Sequence, residues 1–216
     1  MYKARLVARG YTQREGIYFT EIFSPAVKHR SIRIILTMVA LLDMELEQMD
    51  VKTTFLHGNL EEQILMMHPE GFEHKGKEDY VCLLHKSLYG LKQFRRQWYR
   101  RFDEFMMNNG YHKSKYDNYV YFGGSDQGGA VYLLLYVDDM LIASKHKSKV
   151  DKLKNLLKSV FEMKDLRSAK MILGMEIFRN SGCWYFVSKP KNIYIKKVLE
   201  RFDMHNSKSV LTPLGS

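Results

Sequence analysis

The stretch Tyr136-Val137-Asp138-Asp139-Met140 decides how the rest of the chain is arranged. An apolar run, 131–137, enters it, and a shorter apolar run, 140–143, leaves it. Strands on both sides of a two-residue connection predict a β-hairpin, with Asp138 and Asp139 at or beside its turn. Each carboxylate disfavours ionisation of the other, and a bound divalent cation would remove that cost. The alternative interpretation is an ordinary exposed turn, because turns favour aspartate.

The composition is that of a globular protein with one or two domains. The chain has 216 residues, of which 45% are hydrophobic and 27% are charged, and this is enough for a substantial core. Asp138 and Asp139 interrupt the longest apolar run, which argues against a membrane span. The N-terminus lacks the apolar segment of a signal peptide. Cys82 and Cys183 have no metal-ligand spacing and indicate thiols in a reducing compartment.

The excess of positive charge indicates a polyanionic partner. Lysine and arginine outnumber aspartate and glutamate by 34 to 24, for a net charge of +10. Such a charge favours nucleic acid first and an anionic membrane surface second. The segment 94–101 sets arginines beside aromatic residues, a composition that can hold single strands through phosphate contacts and base stacking. A solvated helix face anchored by buried aromatic side chains explains the same segment equally well.

Hydrophobic periodicity predicts helices and strands over most of the chain. Ser31 is expected to cap the first helix, Gly110 to end the second and Pro190 to open the last. The expected strands are near 4–8, 44–51, 119–122, 170–178 and 183–188, with a hairpin in 61–86 besides the Asp-Asp hairpin. The expected helices are at 31–42, after 87–93 as far as Gly110, at 147–163 and from 190 onward.

The order of these elements predicts an α+β fold. Strand, helix, strand pair, helix and strand follow one another as in the split βαβ, or ferredoxin-like (βαββαβ), pattern. In that topology the strand that ends at Asp50 lies beside the Asp-Asp hairpin. Asp50, Asp138 and Asp139 should then meet at one edge of the sheet, where carboxylates suit hard cations such as Mg²⁺ or Mn²⁺. Taken alone, Asp50 is also explained as an ordinary polar strand end.

Six short blocks of sequence, in a fixed order, carry a family resemblance. Together they resemble the reverse transcriptase domain of copia-type LTR retrotransposon polyproteins, and the resemblance runs from Tyr2 to Pro213. The blocks are YKARLVARGYTQ at 2–13, FSP at 23–25, DVKTTFLHGNL at 50–60, SLYGLKQ at 87–93, YVDD at 136–139 and LGME at 173–176.

The resemblance implies a polymerase right hand and an RNA-directed DNA polymerase activity. Such an enzyme adds dNTPs to the 3′-hydroxyl of a primer on an RNA or DNA template. It acts beside the RNase H and integrase portions of its polyprotein, in cytoplasmic virus-like particles and without a membrane partner. The implied parts are fingers at about 1–43 and 56–90, a ferredoxin-like palm at about 44–55 and 91–188, and at 189–216 the start of a connection to a thumb and RNase H beyond this chain.

The resemblance also implies roles for individual residues. Asp50, Asp138 and Asp139 match the catalytic carboxylates, which hold two Mg²⁺ or Mn²⁺ ions together with the carbonyl of Val51. Phe55 matches the aromatic residue that excludes a 2′-hydroxyl, although a core phenylalanine is the alternative. The other expected nucleotide contacts are Lys3, Arg5, Gly90 and Gln93. The expected support for the primer end is Leu173, Gly174, Met175 and Glu176.

The sequence departs from the family pattern at several positions, and two other functions stay open. Phe94 and Arg95 stand where alanine or serine and then proline are usual, and Thr54 stands where alanine is usual. These changes leave the three carboxylates intact but are also expected of a catalytically silent relic that binds nucleic acid through its charge. A metal-dependent nuclease would share the carboxylates without explaining Phe55 or the block at 87–93.

Overall fold

An antiparallel sheet of six strands is the centre of the protein. The structure, a computed structural model, describes residues 6–19, 27–52, 58–73, 75–77, 79–124, 129–180, 183–188, 192–204 and 206–207. The helices are α1 (His29–Leu41), α2 (Phe94–Asn108), α3 (Lys147–Lys158) and α4 (Asn192–Arg201). The strands are β1 (Glu45–Val51), β2 (Asn59–Met66), β3 (Cys82–Lys86), β4 (His112–Lys113), β5 (Val120–Gly123), β6 (Val131–Tyr136), β7 (Asp139–Ser144), β8 (Met163–Ser168), β9 (Met171–Ile172), β10 (Met175–Asn180) and β11 (Cys183–Ser188).

The strand order of the large sheet has the predicted ferredoxin-like arrangement at its centre. The order is β4-β5-β6-β7-β1-β8, and every pairing is antiparallel. Along the chain β1, α2, the β6–β7 hairpin, α3 and β8 follow as strand, helix, hairpin, helix and strand, so β1 lies between β7 and β8. Strands β2 and β3 form a separate hairpin, and β9, β10 and β11 form a third, smaller sheet.

The two faces of the large sheet are covered by different helices. Helices α2 and α3 lie on one face, where Phe102 packs edge-on against Tyr121 and Lys154 pairs with Glu47. The register places Tyr121 and Glu47 on that same face. Helix α1 contacts β7. The buried residues of the opposite face include Leu46, Leu134, Leu141 and Ala143.

The buried hydrophobic side chains of the described residues form two clusters. The main cluster joins the large sheet to α1, α2 and α3 and includes Ile172 and Ile177 from the small sheet. The second cluster is smaller and lies under the β2–β3 hairpin, where Ile64 packs with Ala8 and Leu91. No helix in the described ranges has both the length and the apolar character that crossing a membrane requires.

The start of α1 differs from the sequence prediction. Ser31 is not the N-cap, because the helix begins at His29 and Lys28 occupies the cap position without a side-chain hydrogen bond of its own. The cap comes from Asp117, whose Oδ2 accepts hydrogen bonds from the Lys28 backbone amide (2.9 Å) and the Ser31 hydroxyl (2.6 Å). A carboxylate from a distant loop thus satisfies the helix terminus, which local sequence rules do not foresee.

Several predicted boundaries were wrong for identifiable reasons. Helix α3 ends at Lys158 rather than at 163, and Met163 is instead the first residue of β8, the edge strand beside β1. The strand expected at 170–178 is divided into β9 and β10 by a turn at Leu173-Gly174. Near the N-terminus, Val7 makes only a single parallel bridge to Tyr89. Helix α4 begins at Asn192, Pro190 lies outside the described residues, and Phe202 is exposed rather than inward.

A buried ionic cluster attaches α3 to the sheet. Lys154, almost fully buried, contacts Glu47 of β1 and Asp165 of β8. Lys147 also pairs with Glu47, and Lys158 also pairs with Asp165. Burial by itself would raise the pKa of Asp165, but hydrogen bonds from Lys154 and Lys158 outweigh it, so this pKa is held well below its usual range. Asp165 therefore stays charged at neutral pH and holds α3 against β8.

We expect Asp117→Ala to lower the free energy of unfolding by about 3 kcal/mol, because it leaves the Lys28 amide without its acceptor. Asp117 is 5% exposed and also accepts from the Tyr119 amide. Urea denaturation measures the loss. The exposed Asp79 provides the control, and Asp79→Ala should change stability by less than about 0.5 kcal/mol. Equal effects of the two substitutions would contradict the capping role.

We expect acid to weaken the protein partly through Asp165. Its folded pKa is lower than its unfolded value, so the unfolded chain binds the proton more readily, and stability is lost as the pH falls below about 4. Asp165→Asn should flatten the dependence of unfolding free energy on pH between about 5 and 3. Urea denaturation at several pH values measures the slope, with the exposed Asp79→Asn, outside the ionic cluster, as the control. An unchanged slope in Asp165→Asn would contradict the assignment.

Candidate active site

The turn of the β6–β7 hairpin is formed by Val137 and Asp138. Tyr136 and Asp139 pair directly across the turn, so Asp139 is the first residue of β7. Val137 has φ of 57°, and Asp138 has no positive φ, which is the pattern of a type II′ turn. A β-branched residue in the left-handed region costs about 1–3 kcal/mol and persists only where its surroundings impose it.

Two hydrogen bonds from different elements hold this turn. The indole Nε1 of Trp98 donates to the carbonyl of Val137 at 3.0 Å, and the backbone amide of Val51 donates to the carbonyl of Asp138 at 3.0 Å. Trp98 is 2% exposed, and its ring packs against Phe102 and Phe161. Helix α2 and the end of β1 therefore fix both turn carbonyls.

The register brings the predicted carboxylates to one edge of the sheet. Asp50 is directly opposite Asp139 in the β1–β7 pairing, and Asp138 follows in the adjoining turn. Residues opposite each other in an antiparallel pair project from the same face, so Asp50 and Asp139 share the face opposite α2 and α3. Gln48, two residues before Asp50, is on this face as well, and its Nε2 donates to Asp139 Oδ1 at 3.1 Å.

The donor chemistry of this edge fits a hard divalent cation, whereas the side-chain arrangement does not form a finished cation site. Carboxylate and carbonyl oxygens are the ligands that Mg²⁺ and Mn²⁺ prefer, and Asp50, Val51, Asp138 and Asp139 supply them. Within the described residues, however, no three acidic, histidine or cysteine side chains are grouped to hold an ion. The predicted convergence is therefore seen in the backbone register but not in the side chains. Mutual repulsion separates like charges, and Asp139 is directed toward Gln48.

The aromatic residues of the basic segment 94–101 pack against the protein to different degrees. Trp98 is 2% exposed, and Phe102 just after the segment is 0% exposed, so neither ring is available for base stacking. Phe94 and Tyr99 are half-buried. Arg100 is exposed and pairs with Glu104 one turn later. Of the two interpretations of this segment, the solvated helix face with buried aromatics is the one the structure favours.

Gly90 and Gln93 connect the N-terminal segment to the residues before α2. Gly90 has φ of 92°, and a Cβ there would lie 2.0 Å from the carbonyl oxygen of Ala8, so only glycine allows this contact. Gln93 is fully buried: its Oε1 accepts from Gln13 Nε2 at 3.2 Å and its Nε2 donates to the Tyr18 carbonyl at 3.3 Å. The side-chain amide of Gln93 therefore forms its hydrogen bonds with other residues of the protein.

The remaining predicted site residues fall into two groups. Leu173 and Gly174 form a tight turn between β9 and β10, with φ of 48° and 77°, and Met175 and Glu176 begin β10. Periodicity predicted one continuous strand at 170–178, and the turn interrupts it. Lys3, Arg5 and Phe55 lie outside the described residues.

Sequence reasoning missed two residues that contact the Asp-bearing hairpin. Trp98 was expected in the core, and nothing in its sequence neighbourhood indicates that its indole nitrogen meets Val137. Gln48 carried a usable signal, because it is two residues before Asp50 on a strand and must therefore share its face. Its partner Asp139 depends on the pairing of distant strands.

Comparison with known proteins gives one consistent assignment. The model of the family described as "Reverse transcriptase (RNA-dependent DNA polymerase)" matches residues 1–216. The chain is 55% identical, over 99% of its length, to the retrovirus-related Pol polyprotein from transposon TNT 1-94 of Nicotiana tabacum, and 36% identical, also over 99%, to that from transposon RE1 of Arabidopsis thaliana.

The chain spans only part of these relatives, 16% of the first and 14% of the second. A third, the Pol polyprotein from transposon RE2 of Arabidopsis thaliana, is 34% identical over 100% of the chain and 14% of its own length. No solved structure matches the chain. The resemblance carried by the six sequence blocks is thus confirmed, and the chain belongs to the reverse transcriptase family of copia-type retrotransposon Pol polyproteins.

Proposed function

We propose that this protein is an RNA-directed DNA polymerase domain that adds dNTPs to a primer 3′-hydroxyl on an RNA or DNA template. The observation that carries the proposal is the strained Val137-Asp138 turn, held by hydrogen bonds beside Asp50. An ordinary exposed Asp-Asp turn needs neither a residue at unfavourable φ nor a buried tryptophan as its donor. Strain of this kind is concentrated at functional sites.

We propose a division into palm and fingers that follows the two hydrophobic clusters. The large sheet with α2 and α3 is the palm, because it carries the Asp-bearing edge. The β2–β3 hairpin, with its own small cluster around Ile64 and the N-terminal segment, belongs to the fingers. The third sheet and α4 lead toward a thumb and RNase H in a longer polyprotein.

In the proposed mechanism, Asp50 and Asp138 would hold divalent cations, and the Val51 carbonyl and Asp139 would supply further oxygen donors. When bound, the cations lower the pKa of the primer hydroxyl and neutralise the leaving pyrophosphate. The chain's own contribution is positional. The Val51–Asp138 and Trp98–Val137 hydrogen bonds keep the turn at the end of β1, so the main chain of the turn is already in place when substrates bind.

The other site residues retain proposed roles. Lys3 and Arg5 would neutralise the triphosphate, and Phe55 would exclude a 2′-hydroxyl. Gly90 and Gln93 would act beside the nucleotide by holding the N-terminal segment in place, which accords with the burial of the Gln93 amide. The turn and strand at Leu173, Gly174, Met175 and Glu176 would support the primer end.

A second candidate function is a catalytically silent nucleic-acid-binding domain. The observation in its favour is that the side chains of the described residues do not gather into a cation cluster. The net charge of +10 would then supply non-specific binding that weakens steeply with salt. Such a protein would retain a primer–template without incorporating nucleotides.

We expect the wild-type chain to extend a labelled primer with dNTPs in Mg²⁺ or Mn²⁺, and Asp138→Asn to reduce incorporation by at least about a hundredfold, because the substitution removes a charge that holds the cation. Primer–template affinity, measured by fluorescence anisotropy, should change by less than about threefold, since phosphate contacts dominate it.

Asp151→Asn, an aspartate on the exposed side of α3, is the matched control and should extend primers like the wild type. Primer binding without incorporation by any variant, wild type included, would support the silent domain instead. Equal incorporation by wild type and Asp138→Asn would refute the role of the carboxylate.

We expect Trp98→Phe to lower kcat by about tenfold while leaving the KM for dNTP within about twofold. Phenylalanine keeps most of the buried ring but removes the Nε1 donor, and one hydrogen bond is worth about 1 kcal/mol or slightly more. Single-turnover primer extension measures the rate. Phe105→Leu, on the same helix but without a contact to the turn carbonyls, controls for loss of core packing.

A further inference from the structure

We propose that Gln48 is a positioning residue that holds the carboxylate of Asp139 in place for a cation. The proposal rests on the proposed polymerase function and concerns the same edge of the sheet. Nothing in the family assignment identifies Gln48, and the hydrogen bond between Gln48 Nε2 and Asp139 Oδ1 at 3.1 Å is the observation behind it.

The register explains why Gln48 reaches Asp139 and not Asp138. Gln48 pairs with Leu141 and Asp50 pairs with Asp139, so Asp139 is the diagonal neighbour of Gln48 on the same face, within reach of a long side chain. Asp138 lies in the turn, where its backbone carbonyl is held by the Val51 amide. Strand β1 therefore contacts both aspartates, Asp139 through the Gln48 side chain and Asp138 through the Val51 amide.

The chemical type of the donor matters as much as its position. A lysine at position 48 would also donate a hydrogen bond, but its charge would offset the carboxylates and oppose cation binding. An amide orients the carboxylate without cancelling its charge. The other face of β1 provides the contrast, since Glu47 there is paired with Lys147 and Lys154. On β1, the neutral donor Gln48 is thus on the face where the cation is proposed to bind, and the lysines that pair with Glu47 are on the other face.

The hydrogen bond orients the Asp139 carboxylate. Oδ1 of Asp139 accepts from Gln48 at 3.1 Å, which fixes the plane of the carboxylate and directs its remaining lone pairs toward a cation. Loss of the Gln48 amide would leave Asp139 able to rotate, so the carboxylates would need to be ordered when the cation arrives.

The test uses Gln48→Met, which preserves an unbranched side chain of similar length and removes the donor. The control is Gln63→Met, an exposed glutamine on the separate β2–β3 hairpin. Mn²⁺ binding is measured by electron paramagnetic resonance, and single-turnover primer extension gives kcat and KM. We expect Gln48→Met to weaken Mn²⁺ binding about threefold to tenfold and to lower kcat about tenfold, with KM for dNTP and the melting temperature unchanged. Gln63→Met should match the wild type.

The outcomes separate this proposal from the polymerase assignment. If the wild type binds Mn²⁺ more tightly than Gln48→Met but neither incorporates nucleotides, the positioning role stands and the polymerase activity fails. If Gln48→Met equals the wild type in both Mn²⁺ affinity and kcat, the positioning role is overturned. A parallel fall in melting temperature, Mn²⁺ affinity and kcat would also overturn it, because a general loss of structure would then explain the effect.

Discussion

The antiparallel pairing of β1 with β7 is the constraint on which the rest of the structure depends. It brings Asp50 opposite Asp139 although the two residues are far apart in the chain. The same pairing lets the Val51 amide donate to the Asp138 carbonyl. The Trp98 indole of α2 donates to the neighbouring Val137 carbonyl. Because a shift of one residue in an antiparallel register turns every side chain to the other face, these contacts exist together or not at all.

Strand β1 presents two electrostatic environments on its two faces. Toward α3, Glu47 is buried with lysines, which is how a charge inside a protein is usually accommodated. Toward the opposite face, the side chain that contacts Asp139 is the neutral Gln48. One face thus uses its charges to attach a helix and so stabilises the fold, while the other keeps carboxylates whose charge is not cancelled by the contact that orients them. Stability and proposed chemistry are divided between the two sides of one strand.

Much of the fold could be predicted from residue patterns, and the failures have physical causes. The apolar runs on both sides of Asp138 indicated the hairpin, and the alternation at 44–51 indicated β1. Ser31 was misassigned as a cap because the true acceptor, Asp117, comes from a loop that only the folded chain brings near. Helix α3 was expected to reach 163 but ends at Lys158, and Met163 pairs with Val51 at the edge of the sheet, where strand hydrogen bonds outweigh helical periodicity.

By itself, the sequence determined the family and the hairpin, because both depend on residue types at fixed spacing, and it identified Asp50, Asp138 and Asp139 as candidates. Tertiary structure alone decided how the turn is held and that Gln48 donates to Asp139. Trp98 and Gln48 reach their partners only after distant strands have paired and α2 has packed on the sheet. Local patterns report which residues share a strand or a helix face, whereas the partner across a sheet depends on the register between segments that the sequence keeps apart.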